Sequence, residues 1–98
     1  MFGIVLGGNG EVVVSGRLDA ANAATAQKFL DDMPDPRVLD MADLEYISSA
    51  GLGVLLKTQK RLMASGGQLK IINANSHIID VFRYSGFDKI FDVDSDAS

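Results

Sequence analysis

Two adjacent serines, Ser48 and Ser49, stand in the stretch DLEYISSAGLGVLL at residues 43–56 and are followed by Ala50, Gly51, Leu52 and Gly53. A serine hydroxyl in such a place caps a helix, attacks as a nucleophile, or accepts a phosphoryl group. Capping needs only that the oxygen reach a backbone N–H two or three residues on, and it is worth about 1 kcal/mol over alanine. One cap uses one serine. It leaves the other unexplained, together with two glycines inside a helix, each costing up to about 1 kcal/mol relative to alanine. Small side chains in the first turn also leave the unpaired N–H groups of the helix start approachable. The helix dipole adds positive potential there, so a phosphate on either serine would be well accommodated.

Hydrolytic chemistry fits these residues less well. A nucleophile elbow needs glycine two residues before its serine, and Tyr46 and Ile47 hold those positions. The one histidine, His77, falls in the first turn of an expected helix, where spacing identifies no catalytic partner and no recurring metal-ligand pattern. The GGNG at 7–10 leads into a strand, with no Lys-Ser or Lys-Thr after it, which argues against a phosphate-cradling loop. No cofactor, metal site or catalytic set is expected, and the chain reads as a non-enzyme.

The elements that must position the serines follow from periodicity. FGIVL and EVVVSGRL flank GGNG and predict an N-terminal β-hairpin. Asp19 stands before an alanine-rich segment with Ala23, Ala26, Phe29, Leu30 and Met33 at helical spacing, so Asp19 is the expected N-cap of a helix reaching about Met33. Pro34 and Pro36 end that helix, and an apolar run from about Arg37 to Ala42 predicts a buried central strand, with Asp40 as its anomalous member. From Ser49 or Ala50, the residues Leu52, Leu55, Leu56, Leu62 and Met63 mark one face of a helix and Lys57, Lys60 and Arg61 the other, until SGG at 65–67. QLKII predicts another strand, Asn75 or Ser76 caps a third helix ending at Ser85-Gly86, and DKIFDVD adds a last short strand.

This order, β-β-α-β-α-β-α-β, predicts a small mixed-sheet α/β domain, an antiparallel hairpin followed by β-α repeats with parallel strands. Ser48 and Ser49 then lie between the carboxyl end of a central strand and the amino end of a helix, the edge where open α/β sheets bind ligands. Ninety-eight residues suit one domain, 1–98, whose polar, acidic tail at 92–98 is expected to fray.

Composition narrows the partners. Thirteen acidic against nine basic side chains give a net charge of −4, and Lys57, Lys60 and Arg61 form the only basic cluster, too narrow a footprint for a nucleic acid. The absence of cysteine removes disulfides, thiolate metal sites and a cysteine nucleophile together. No apolar run approaches the roughly 20 residues of a membrane span, and Met1 to Leu6 lack the features of a signal peptide. A cytoplasmic protein without membrane insertion is expected.

Four blocks carry a resemblance: GRLDAANA at 16–23, VLDMADLEYISSAGLGVLL at 38–56, INANSHIIDVF at 72–82 and SGFDKIF at 85–91. In this order they resemble successive blocks of the STAS domain of bacterial anti-sigma factor antagonists, and the Ser-Ala-Gly-Leu-Gly block is the most specific. The resemblance implies a partner-switching regulator of transcription. Such an antagonist binds an anti-sigma factor that is also a serine kinase, is released when phosphorylated on the serine opening the helix, and is restored by a serine phosphatase. Carried onto this chain, the phosphorylated serine falls on Ser49, with Ser48 as the alternate. The family's small residue and glycine fall on Ala50 and Gly51, its Gly-x-Leu-Asp acid on Asp19, and its strand acid on Asp40. Both acids are then expected near the serine turn, and the partner surface is expected to include Gly53, Lys57 and Lys60. Where the family typically has aspartate before its serine, this chain has Ser48. That departure favours a second reading, a stand-alone STAS subunit docking on a membrane transporter or lipid-transport ATPase without phosphorylation.

Overall fold

The chain opens with a hairpin because Gly7 to Gly10 let it reverse tightly. Gly10 takes φ 85°, a conformation that costs glycine nothing. Strands β1 (Gly3–Leu6) and β2 (Val12–Leu18) pair antiparallel, with Gly3 opposite Ser15 and Leu6 opposite Val12. The structure, a computed structural model, describes residues 1–94. Beyond the hairpin, β3 (Val38–Ile47), β4 (Lys70–Ile72) and β5 (Asp92–Val93) join β2 in parallel, and the five strands lie in the sheet in chain order. The helices α1 (Ala23–Asp31), α2 (Ser49–Met63) and α3 (Ser76–Ser85) make the crossovers. Right-handed crossovers that always step the same way put every helix on one face.

Burial follows that geometry. Val12, Val14 and Leu18 of β2 and Leu39, Met41, Leu44 and Ile47 of β3 join Leu30 of α1, Leu55 and Leu62 of α2, and Ile78 and Phe82 of α3 in one core. The opposite face of the sheet carries Val13, Ser15, Arg17, Asp40, Asp43 and Tyr46, half-buried or exposed. Phe91 closes the far end of the core with edge-on contacts to Phe82 and Phe87, ring centroids 6.0 and 5.6 Å apart.

The mixed-sheet α/β architecture is the expected one, and three boundaries differ. The central strand continues past Ala42 to Ile47, because two bulges re-aim its side chains. Between Val13 and Ser15 of β2 the facing strand advances from Asp40 to Asp43, and between Gly16 and Arg17 from Leu44 to Tyr46. The buried positions of β3 therefore fall at 39, 41, 44 and 47 rather than alternating. The first helix begins at Ala23 with Asn22, not Asp19, as N-cap, and Asp32 is its C-cap. The tail expected to fray from residue 92 starts with β5, whose Asp92 and Val93 pair with Lys70 and Ile71; residues 95–98 of that tail lie outside the described residues.

Two side chains of α2 fasten the elements around it. Gln59 is buried and bridges two backbones: its Nε2 donates to the Ile90 carbonyl at 2.7 Å and its Oε1 accepts from the Leu69 N–H at 2.8 Å. Arg61 donates to the Leu30 carbonyl at 2.7 Å and to the Pro34 carbonyl at 3.4 Å, a cation set against the carboxyl end of α1.

Candidate functional site: the serine turn and the groove beside it

At the junction of β3 and α2 the two serines do different jobs. Ser48 is extended (φ −97°, ψ 177°), and its Oγ accepts the N–H of Gly51 at 3.3 Å, so it is the N-cap of α2. Its own N–H donates to the Leu18 carbonyl at 3.0 Å, fixing the turn to the end of β2. Ser49 is the first residue of the helix, is exposed, and makes no side-chain hydrogen bond among the described residues. A group attached to its Oγ would meet solvent and the positive end of the α2 dipole.

The two glycines differ as well. A Cβ on Gly51 would lie 2.5 Å from the Leu18 carbonyl oxygen and 2.8 Å from Ile47 Cγ1, so glycine is what lets α2 sit directly on the ends of β2 and β3. Gly51 is buried and builds the site from beneath. A Cβ on Gly53 would meet nothing within 4 Å. Gly53 lies in the floor of an open groove of about 670 Å³ between α1 and α2, lined by Ala23, Ala24, Gln27, Ala50, Gly53 and Lys57 among others. Beneath it, Thr58 accepts a hydrogen bond from Gln27 Nε2 at 3.4 Å, which joins the two helices. Ala50, Gly53 and Lys57, expected to meet a partner, thus share one accessible surface beginning next to Ser49.

The acids part company. Asp19 does not cap α1; its Oδ1 accepts from the Ala21 N–H at 3.2 Å and from Asn22 Nδ2 at 3.1 Å, while Oδ2 lies 3.8 Å from Arg17 Nε. It stays beside the serine turn, because Leu18 before it holds Ser48. Asp40 does not. It pairs with Val13 and Ile72 in the first half of β3, and its Oδ1 accepts from the Ala42 N–H at 3.0 Å and from Asn73 Nδ2 at 3.2 Å. Six residues of strand lie between it and Ile47, a separation of roughly 20 Å. The family resemblance, carried onto Asp40, had placed it near the serines, and the strand was separately expected to end at Ala42. In its actual place Asp40 steadies Asn73, which holds φ 62° just after β4.

Sequence reasoning missed Arg17 and Asn22. The Arg17 guanidinium lies 4.4 Å from the ring centroid of Tyr46, the residue two before Ser48. Asn22 Nδ2 reaches back to the Arg17 carbonyl at 3.0 Å. Asn22 was legible, since asparagine directly before AATAQ is as good a cap as Asp19. Arg17 was not, because its partner depends on the second bulge. His77 is exposed, and no three His, Asp or Glu side chains among the described residues gather as a metal site requires.

Comparison with known proteins agrees with this geometry. Residues 6–92 match the family described as Mlab, STAS domain. The protein of Bordetella bronchiseptica designated anti-sigma factor antagonist BtrV is 38% identical over 84 residues, covering 82% of this chain and 72% of that protein. A Thermotoga maritima crystal structure, designated an anti-sigma factor antagonist, aligns with a TM-score of 0.77 at 24% identity over 95% of this chain and 85% of that one. The Bacillus cell fate determinant SpoIIAA in its phosphorylated form aligns with a TM-score of 0.66 at 18% identity over 99% and 94%. These last two likenesses are of fold; the matched family and the Bordetella relative assign this chain to the STAS-domain family of bacterial anti-sigma factor antagonists.

Proposed function

We propose that this chain is an anti-sigma factor antagonist. It binds an anti-sigma factor with serine kinase activity through the serine turn and the α1–α2 groove, and phosphorylation at Ser49 switches it off. It is a binding module and not an enzyme; a serine phosphatase reverses the modification. The observation that carries the reading is the division of labour between the serines. Ser48 is consumed as the helix cap, and Ser49 stands exposed at the head of α2 with its hydroxyl unspent. That division supports Ser49 rather than Ser48 as the acceptor.

Phosphate on Ser49 adds about −1.5 to −2 charges and three acceptor oxygens. The amino end of α2 stabilises that charge, so the domain keeps its fold while the partner meets a changed surface. The relative SpoIIAA has this fold in its phosphorylated form. Ala50, Gly53 and Lys57 supply the contact surface, Asp19 lies at its margin, and Gly51 holds the turn in shape from below.

Affinity capture with wild-type, Ser49→Ala and Ser49→Asp baits tests the proposal. Wild type and Ser49→Ala are expected to retain an ATPase-fold serine kinase, and Ser49→Asp to lose it with its melting temperature within a few degrees of wild type. Incubated with that kinase and ATP, Ser48→Ala is expected to gain one phosphate and Ser49→Ala none. Equal retention of the kinase by the alanine and aspartate baits would sink the switch. Transporter subunits retained by all three baits would replace it with the docking reading.

A further inference from the structure

The two edges of the sheet are treated differently. At one edge, β5 is two residues long, begins with Asp92 and is followed by Asp94, the short, charged edge that proteins use to discourage strand pairing. At the other edge, β1 has no such protection. Residues 1–10 contain no charged side chain and no proline, and Val5 and Leu6 keep 57% and 59% of their surface exposed.

The hairpin register shows which backbone groups are free. The Gly7 N–H donates to the Glu11 carbonyl at 2.7 Å, which makes Gly7 and Glu11 a hydrogen-bonded pair. The alternation of an antiparallel ladder then makes Val5–Val13 and Gly3–Ser15 hydrogen-bonded pairs too. The N–H and C=O of Ile4 and Leu6, and those of Phe2 beyond the strand end, therefore point away from β2.

We propose that a second copy of this chain occupies this edge, its β1 running antiparallel to the first about a two-fold axis at Ile4. In that register Ile4 faces Ile4 and Phe2 faces Leu6, so every outward N–H and C=O from Phe2 to Leu6 meets its complement in an isologous contact. Ile4 and Phe2 already pack against the core, and Leu6 on the same face of the strand is covered by the other copy's Phe2. Charge favours the same arrangement. The side chains of Phe2 to Leu6 bring no charge to the contact, although the side chains of the chain sum to −4. The product is a continuous ten-stranded sheet with the α1–α2 grooves left open on both halves.

A contact this small belongs to the weak end of the specific range, below about 1,200 Å², so the dimer is concentration-dependent. Sedimentation velocity from about 20 μM to about 1 mM on the full chain, with amide hydrogen exchange by NMR over the same range, tests it. The sedimentation coefficient is expected to rise toward a dimer. Protection of the Ile4 and Leu6 amides is expected to rise at least fivefold with concentration, while the Val5 and Val13 amides stay protected throughout. Leu6→Pro removes an outward N–H that the hairpin does not use, and Leu6→Lys places a charge on the edge. Both are expected to stay folded and remain monomeric at every concentration. Ile4 and Leu6 amides that exchange at one rate across the range, or self-association undiminished in both variants, would overturn the proposal.

Discussion

The two ends of α2 are built on opposite plans. Its carboxyl half is spent on cohesion: Gln59 spans the Leu69 and Ile90 backbones, Arg61 closes the end of α1, and Leu62 lies in the core. Its amino end makes one side-chain cap, leaves Ser49 and Gly53 uncovered, and borders an open groove. Changes in the first half of the helix can therefore alter recognition while the second half keeps the fold. Substitutions at the two ends ought to separate stability from partner binding.

The largest separation is expected at Gln59. In Gln59→Leu the volume is nearly kept, but the buried Leu69 N–H loses its acceptor; the Ile90 carbonyl retains a weaker donor in Gln68 Nε2 at 3.3 Å. An orphaned buried donor together with the lost bridge should cost about 3 kcal/mol, or roughly 15 °C in melting temperature for a domain of this size. Urea denaturation measures the loss, and affinity for the anti-sigma factor per folded molecule should stay at the wild-type value. A fall in that affinity would show that the two ends are coupled.

Gly51→Ala comes next and blurs the division, because Gly51 serves the site through packing. Its added methyl is opposed by the Leu18 carbonyl and Ile47, an overpacking cost of about 2 kcal/mol that helix propensity offsets by up to about 1. Stability and partner affinity should fall together, read by denaturation and titration on one sample. Unchanged affinity with the same loss of stability would mean that the partner does not sense the height of α2 above the strands.

Much of this division could be read from the sequence, and the exceptions have one cause. The hairpin, α2 and α3 announced themselves through Gly7–Gly10, the 3.6-residue repeat after Ser49 and the Gly86 stop, each a local rule that tertiary context left in force. The serine pair was legible as a turn, and its register on the strand follows from Ser48 being a good cap. β3 was misjudged because its bulges shift the buried face from 39 and 41 to 44 and 47, so period-two reading stopped at Ala42 and left Asp40 looking like a strand end. The partners of Arg17 and Asp40 were lost with it, since cross-strand neighbours are fixed only once the register is known. Gly51 and Gly53 were indistinguishable in sequence; only the position of Leu18 beneath one and of nothing above the other separates them.

That last difference yields the smallest and most informative effect. A methyl at Gly53 meets no atom within 4 Å, and alanine is the better helix former, so Gly53→Ala should stabilise the domain by about 0.5 to 1 kcal/mol. The same methyl projects into the floor of the α1–α2 groove, where a partner that fills the groove must give way. Its affinity should fall by at least about fivefold, the loss expected where a well-packed interface position is disturbed. A protein that melts higher and binds more weakly would separate recognition from cohesion at a single carbon atom. A variant that melts higher and binds as well as wild type would confine recognition to the serine turn and leave the groove without a part in it.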